Sequence, residues 1–297
     1  MSRLPLRVHA IYSVLDDAPL FRASVRSIYD HVDGITVITT HDRDWHGRPR
    51  DADELVALIL SRELDPQHKI ELAVVNETNE ARSRNRAMDL AAPRSESLRV
   101  RQQHQSDTPH EIPDYFLIVD ADEIYEAEAL TRLKAYAARC RRPFYRVACI
   151  RYFKRWNYRI DGLEWMVALV RADRRLPYLR LRRTNVVRRA AARVPRLPDG
   201  IRIALRGFED VPPEVAVFHH GSYVGPRRRI KAKLESFGHS AEVAPGWLED
   251  VWDTWTPDRR DFNPAYPTLF SRAERVDATA LPAEIVEHAW PAGYLDS

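Results

Sequence analysis

The sequence predicts an α/β fold, a mainly parallel sheet with helices on both faces, followed by a C-terminal helical extension. Three observations predict it. Apolar runs of strand length alternate with helix-periodic stretches through the first half of the chain. Several of these runs are β-branched and continuous, as strands buried in a parallel sheet are. Asp16, Asp42 and Asp120 each stand just past such a run, which puts them along one rim of the sheet, where ligands of such folds bind.

The elements follow in order. Leu6 to Val14 is an apolar run that ends at the acidic turn Asp16-Asp17-Ala18-Pro19. Leu20, Phe21, Val25 and Ile28 then recur near helical spacing, and Gly34 precedes the buried-strand run Ile35 to Ile38. A helix over Asp53 to Leu64 leads to a third strand, Ile70 to Val75. The next helix can be capped by Thr78 or Asn79, runs towards Ala92 and is stopped by Pro93. Arg94 to Asp114 is polar and aperiodic, a connection long enough to be a functional loop or a disordered insert. Tyr115 to Val119 is the clearest strand, and the helix after it gathers Leu130, Leu133, Ala137 and Cys140 on one face. The expected division is a catalytic unit over 1–225 and a helical extension over 226–297 packed on it.

Composition limits the function classes. The chain has 297 residues, 44% hydrophobic and 30% charged, an ordinary globular balance with room for one large core. No apolar run has the length of a membrane span, and residues 1–5 enter the first strand without a secretory stretch. The expectation is a cytoplasmic protein, with peripheral contact at the inner membrane as an alternative. Cys140 and Cys149 are too few for a disulfide framework and wrongly spaced for zinc, so they read as reduced thiols. The net charge of +3 is uneven: Arg171 to Arg196 holds ten Arg against one acid, Asp173. A nucleic-acid binder is basic more widely, so no nucleic-acid partner is expected. The segment can meet a diphosphate, an acidic acceptor or an anionic membrane, or can be a solvated surface.

The chemistry concentrates in two places. Leu117-Ile118-Val119-Asp120-Ala121-Asp122-Glu123-Ile124 places two carboxylates two residues apart where a buried strand ends. They can converge on one hard divalent cation, Mg²⁺ or Mn²⁺, completed by substrate phosphates. The bland alternative is that Asp122 and Glu123 cap the next helix. Phe218-His219-His220-Gly221-Ser222-Tyr223 puts paired imidazoles at a strand end, before a helix whose first position suits Pro226. Either imidazole can join a metal on Asp122. On the helix from Asn79 to Ala92, Asn85 interrupts an apolar stripe; spacing favours a structural amide, with Arg82, Arg84 and Asn85 as alternative nucleotide contacts. Trp247, Trp252 and Trp255, near Asp250 and Asp253, suit a sugar platform or a packed core equally well.

Taken together these residues resemble a nucleotide-sugar transferase of the GT-A fold, a Rossmann-like α/β arrangement, similar to bacterial members of glycosyltransferase family 2. The acidic turn after the first strand, Arg84-Asn85, Asp120 to Ile124 and the stretch from Phe218 to His239 carry the resemblance, with Glu249-Asp250-Val251-Trp252-Asp253. It implies a hexosyltransferase-like enzyme with a Mn²⁺ or Mg²⁺ ion on Asp120 and Asp122, completed by His219 or His220. It implies donor contacts from Tyr12, Asp16 or Asp17, Asp42, Arg84, Asn85 and Asp120. The implied partners are a nucleotide-sugar donor, UDP-sugar by default, and a small-molecule, glycan or peptide acceptor. Transfer is inverting in this family, and Glu164, then Asp161, are the candidates for the base that activates the acceptor. The alternatives are a metal-dependent nucleotidyltransferase or phosphohydrolase, disfavoured by the glycine-free run Ser13 to Asp17, and a non-catalytic anion-binding protein.

Overall fold

The structure, a computed structural model, describes residues 6–15, 17–44, 46–76, 79–92, 113–172, 208–236 and 240–288. Its first half is the predicted alternation: β1 (Val8–Ser13), α1 (Ala18–Ile28), β2 (Gly34–Thr39), α2 (Asp53–Ile59), β3 (Ile70–Val74), α3 (Glu80–Ala91) and β4 (Tyr115–Val119). Then come β5 (Glu123–Tyr125), α4 (Ala127–Cys140), a long β6 (Phe144–Ile160), β7 (Glu164–Arg171), β8 (Phe208–Asp210) and β9 (Val217–Val224). The chain continues through α5 (Arg227–Ser236), a π-helical turn over Leu248–Asp253, β10 (Ala273–Arg275) and α6 (Ala283–His288).

One sheet runs through the molecule in the order β3-β2-β1-β4-β7-β6-β9-β5, with β8 and β10 both attached to β6. The four strands β3, β2, β1 and β4 are mutually parallel. Antiparallel pairings enter where β7 joins β4 and where β6 pairs with β7. The fold is therefore α/β with a largely parallel sheet between helices. Alternation along β1 sorts its side chains between the two layers. Ala10, Tyr12 and Val14 pack with Phe21 and Val25 of α1 and Leu130 and Leu133 of α4. Ile11 goes to the other face, with Ala87 and Met88 of α3.

Local chemistry sets the helix ends. Asn79 caps α3, its Oδ1 accepting from the N–H groups of Ala81 and Arg82 at 2.9 and 3.3 Å. The helix expected from Asp53 to Leu64 stops at Ile59, because the Ser61 hydroxyl donates to the Leu58 carbonyl at 2.7 Å and turns the chain. The extension also differs from expectation. It is not purely helical: β10 pairs antiparallel with β6, Ala273 opposite Ile160. The three tryptophans are buried, and Trp247, Trp252 and Trp255 pack with Phe153, Phe262 and Phe270. The core reading of that cluster holds over the sugar-platform reading.

No helix among the described residues is long and apolar enough to cross a membrane. Both cysteines are free. The polar stretch from Arg94 and nearly all of the Arg-rich segment lie outside the described residues, as does Asp16.

Candidate active site

A cleft of about 720 Å³ opens at the carboxyl ends of β1 and β4. Ser13, Val14 and Leu15 line it from the end of β1, and Asp120, Ala121 and Asp122 from the turn after β4. Its other walls are Asp17 to Pro19 at the start of α1, Arg50, Asp51, Glu54 and Leu55, Glu80 and Arg84 of α3, and the face of α5 that carries Arg228, Arg229 and Lys233. Parallel α/β sheets bind ligands at this end because strand-to-helix loops and helix N-termini converge there. Clefts of this size hold small organic ligands.

Buried hydrogen bonds from α1 hold the acidic turn. Ser24 Oγ donates to the carbonyls of Glu123 and Asp120 at 2.6 and 3.3 Å. Ser27 Oγ accepts from the N–H of Tyr125 at 3.2 Å. On the far side, the N–H of Gly221 donates to the carbonyl of Asp122 at 2.8 Å. Only glycine fits there, because a Cβ on residue 221 would lie 2.6 Å from the Trp156 ring. These bonds fix where the two carboxylates emerge.

The carboxylates have different surroundings. Asp120 is half-buried and accepts from Arg84, a fully buried guanidinium that also holds Glu80 at 2.9 Å. Asp122 is buried, and the side chains of Lys233, His220 and Arg229 face it. Lys233 Nζ lies 2.5 Å from its Oδ2, His220 Nε2 lies 3.2 Å from its Oδ1, and Arg229 Nη2 is 3.6 Å away. Burial alone would raise this carboxyl; Lys233, His220 and Arg229 overcome it and hold it well below the usual carboxylate range. Glu123 goes the other way. Burial, with Asp120 and Asp122 close by, raises it well above the ordinary range.

Arg229 ties the site to its surroundings. Its Nε and Nη2 hold both oxygens of Asp17 at 2.5 and 2.8 Å, and its Nη1 reaches the Val224 carbonyl at 2.6 Å. Asp17, the N-cap of α1, sits in the left-handed region at φ 76, a conformation that costs a non-glycine residue and is held here by that fork.

The structure gathers some of the sequence candidates and disperses others. Asp120, Asp122, Arg84 and Asp17 line the cleft, and His220 touches Asp122 without lining it. His219 is not brought to the two carboxylates. Neighbouring residues of a strand face opposite ways, and its ring lies between Tyr152, 2.9 Å from Nδ1, and Glu126, 3.2 Å from Nε2. The hydrogen bond from that ring keeps the Glu126 carboxyl below its usual range. Tyr12 likewise does not line the cleft. It is fully buried, its phenol 2.9 Å from Ser24 Oγ and its ring edge-on to Phe21, and burial pushes the phenol far up.

Asp42 stays exposed on the loop after β2, while Arg50 and Asp51 reach the cleft instead. Asn85 is half-buried and does not line the cleft; the helical turn presents Arg84 there. Neither candidate base lines it either. Glu164 stands opposite Cys149 at the start of β7, 3.4 Å from Arg151, and Asp161 is ion-paired with Arg272 at 2.7 Å. The sequence reading gave no site role to Arg50, Ser24, Ser27, Arg228, Arg229 or Lys233. The spacing of Arg229 and Lys233, one helical turn apart after the Gly-Pro that opens α5, is the signal that points to them.

No family model and no curated protein matches the chain. Similar solved structures include two of S. aureus TarS. One crystal structure of TarS has 13% identity and a TM-score of 0.30, covering 51% of this chain and 22% of that chain. That of TarS 1-349 has 9% identity and a TM-score of 0.38, covering 83% of this chain and 75% of that one. The chain thus spans under a quarter of the first TarS chain. With similarity this distant, the chemistry of the cleft is read from its own residues.

Proposed function

We propose that this chain is a glycosyltransferase of the GT-A kind, moving a sugar from a nucleoside-diphosphate donor to an acceptor hydroxyl with inversion. One observation carries the reading: Asp120 and Asp122 leave the end of the buried strand β4 and both open on the 720 Å³ cleft at the ends of the parallel strands. Strand, acidic turn and cleft are the arrangement implied by the sequence resemblance, and the cleft is large enough for a small-molecule donor.

The donor set suits a hard cation. Asp120 and Asp122 offer two carboxylates to the cleft, the complement that Mg²⁺ or Mn²⁺ uses when phosphate and water oxygens fill its other positions. The residues fit such an ion. Among the described residues no cluster of three or more His, Cys, Asp or Glu side chains is arranged to hold a metal by itself. The phosphates of the donor therefore belong to the proposed site. Bound there, the ion supplies Lewis-acid neutralisation of the departing diphosphate.

The chain's own residues do the rest. Arg84 orients Asp120, and Arg229 and Lys233 keep Asp122 ionised although it is buried. Arg50 and Arg228 add positive charge to the walls, towards which a diphosphate is drawn. Because α5 forms one wall, the extension from residue 226 contributes to the cleft rather than merely packing behind it.

A melting-temperature screen of nucleoside diphosphates and their sugars, with and without Mn²⁺, tests the proposal. UDP and UDP-sugars come first, and a native-state ligand raises the melting point by mass action. Asp122→Asn removes one carboxylate charge and keeps the side chain's size; turnover is expected to fall on the order of 100-fold or more, the scale on which single electrostatic groups in active sites act. Unchanged turnover in that variant, or no stabilisation by any nucleoside diphosphate, sinks the proposal.

A further inference from the structure

The three side chains around Asp122, of Arg229, His220 and Lys233, are not equivalent. Arg229 is committed elsewhere, since its fork holds Asp17 and its remaining nitrogen reaches the carbonyls of Ser222 and Val224 at 3.2 and 2.6 Å. The imidazole of His220 is carried by a strand locked in register between β5 and β6. Lys233 differs from both. The bond to Asp122 is its one side-chain hydrogen bond among the described residues, at 2.5 Å, and its side chain lines the cleft with 20% of its surface exposed. A lysine is a compact charge on a flexible four-carbon stem, able to trade one anion for another nearby. Arg228, on the same wall, has no ion-pair partner among the described residues and adds to the charge that a phosphate meets there.

An ammonium group and a divalent cation compete for the same carboxylate, because two positive charges in contact with one oxygen repel each other strongly in a part-buried site. On the glycosyltransferase reading the cleft also receives a diphosphate, the nearest anion to which a displaced ammonium can pass. We infer that Lys233 is an exchangeable counter-ion, which neutralises Asp122 in the donor-free protein and moves to the donor's diphosphate when a divalent cation takes its place on that carboxylate. The inference rests on the proposed function for its ligand. It rests on the unequal tethering of Arg229, His220 and Lys233 for its choice of residue.

The exchange makes two predictions of opposite sign for one side chain. A residue that only stabilises Asp122 would not weaken phosphate binding, and one that only binds phosphate would not oppose a metal. Calorimetry on the full chain tests this with MnCl₂ alone, with pyrophosphate alone in chelator, and with both. The variants are Lys233→Met, Lys233→Gln, which keeps an N–H for Asp122 should the methionine variant fail to fold, and Lys231→Met as a control on an exposed position of the same helix.

Loss of Lys233 is expected to tighten the binding of Mn²⁺ alone about tenfold and to weaken pyrophosphate binding in saturating Mn²⁺ about tenfold or more, the scale of one charged hydrogen bond, with little change for pyrophosphate in chelator. Lys231→Met is expected to match the wild type. Unchanged or weaker Mn²⁺ binding, or unchanged pyrophosphate binding in saturating Mn²⁺, overturns the inference. A wild-type chain that binds Mn²⁺ and pyrophosphate but no nucleoside diphosphate sinks the glycosyltransferase reading while the opposite shifts still stand. A wild-type chain that takes neither ion overturns both.

Discussion

Gly221 is where a single methyl group would be felt at the site. It lies inside β9 with the Trp156 ring across the position a Cβ would take, while its N–H holds the turn that carries Asp122. Gly221→Ala must push the indole or the strand aside, and overpacking of this kind costs about 1–3 kcal/mol. Denaturant unfolding checks it, and an alanine variant as stable as the wild type would contradict the contact. Glu126 supplies a pH dependence. The hydrogen bond from His219 lowers its carboxyl in the folded chain, so its contribution is fully present above the ordinary carboxylate range and is lost as pH falls through the folded value. Because the carboxylate is partly exposed, Glu126→Gln is expected to cost under about 1 kcal/mol at neutral pH. Its melting point should fall less steeply than that of the wild type on acidification below about pH 4.5, near the unperturbed glutamate value. Parallel melting curves of the two proteins across pH 3–7 would refute this.

At the scale of elements, α5 matters more than its modest length implies. It bears the face that closes the cleft, and one arginine joins it to the start of α1 and to the end of β9. Lysine cannot reproduce a fork that grips two carboxylate oxygens and carbonyls at once. Arg229→Lys is expected to destabilise the chain by about 1.5–3 kcal/mol, the worth of hydrogen bonds lost to a charged group in a part-buried site. Melting measurements decide it, and a loss below about 0.5 kcal/mol, the range of ordinary surface changes, would show that the fork carries little. The same helix marks how far the sequence could be read. The strand-helix alternation up to β4 is visible because each element has its own period and punctuation, such as Gly34 before β2 and Asn79 before α3. The acidic turn is visible because it ends a continuous apolar strand. The pairing of β7 with β4 joins residues 52 to 56 positions apart and the aim of Lys233 at Asp122 joins residues 111 apart, while the placement of His220 rather than His219 beside Asp122 depends on strand parity. Neither a local period nor a motif encodes such contacts. The burial of Tyr12 away from the cleft has the same origin, since one step along β1 exchanges the two faces of the sheet.

Across the whole molecule, the division at residue 225 in the sequence reading separates parts that share one core. Phe153, Ile160 and Tyr223 belong to the sheet strands, yet their partners Trp247, Trp252, Phe262 and Phe270 all follow residue 226. β10 pairs with β6 near its end. Leu281 and Ile285 pack with Leu20 and Ala23 of α1, the helix that pins the acidic turn. The Glu284 carboxylate accepts from the N–H of Ala127 at 2.9 Å, at the start of α4. Removal of the extension would therefore expose large aromatic side chains, free a length of β6 as an unpaired edge, and take away Arg229 and Lys233 from Asp122. Each buried aromatic side chain lost from such a cluster is worth about 3–5 kcal/mol, and several are lost together, against a total stability of about 5–15 kcal/mol for a typical domain. A chain ended at Gly225 is accordingly expected to be insoluble or unfolded, and the full chain to melt in a single transition. A truncated chain that stays monomeric, melts cooperatively and still binds a nucleoside diphosphate would contradict both the shared core and the contribution of α5 to the cleft.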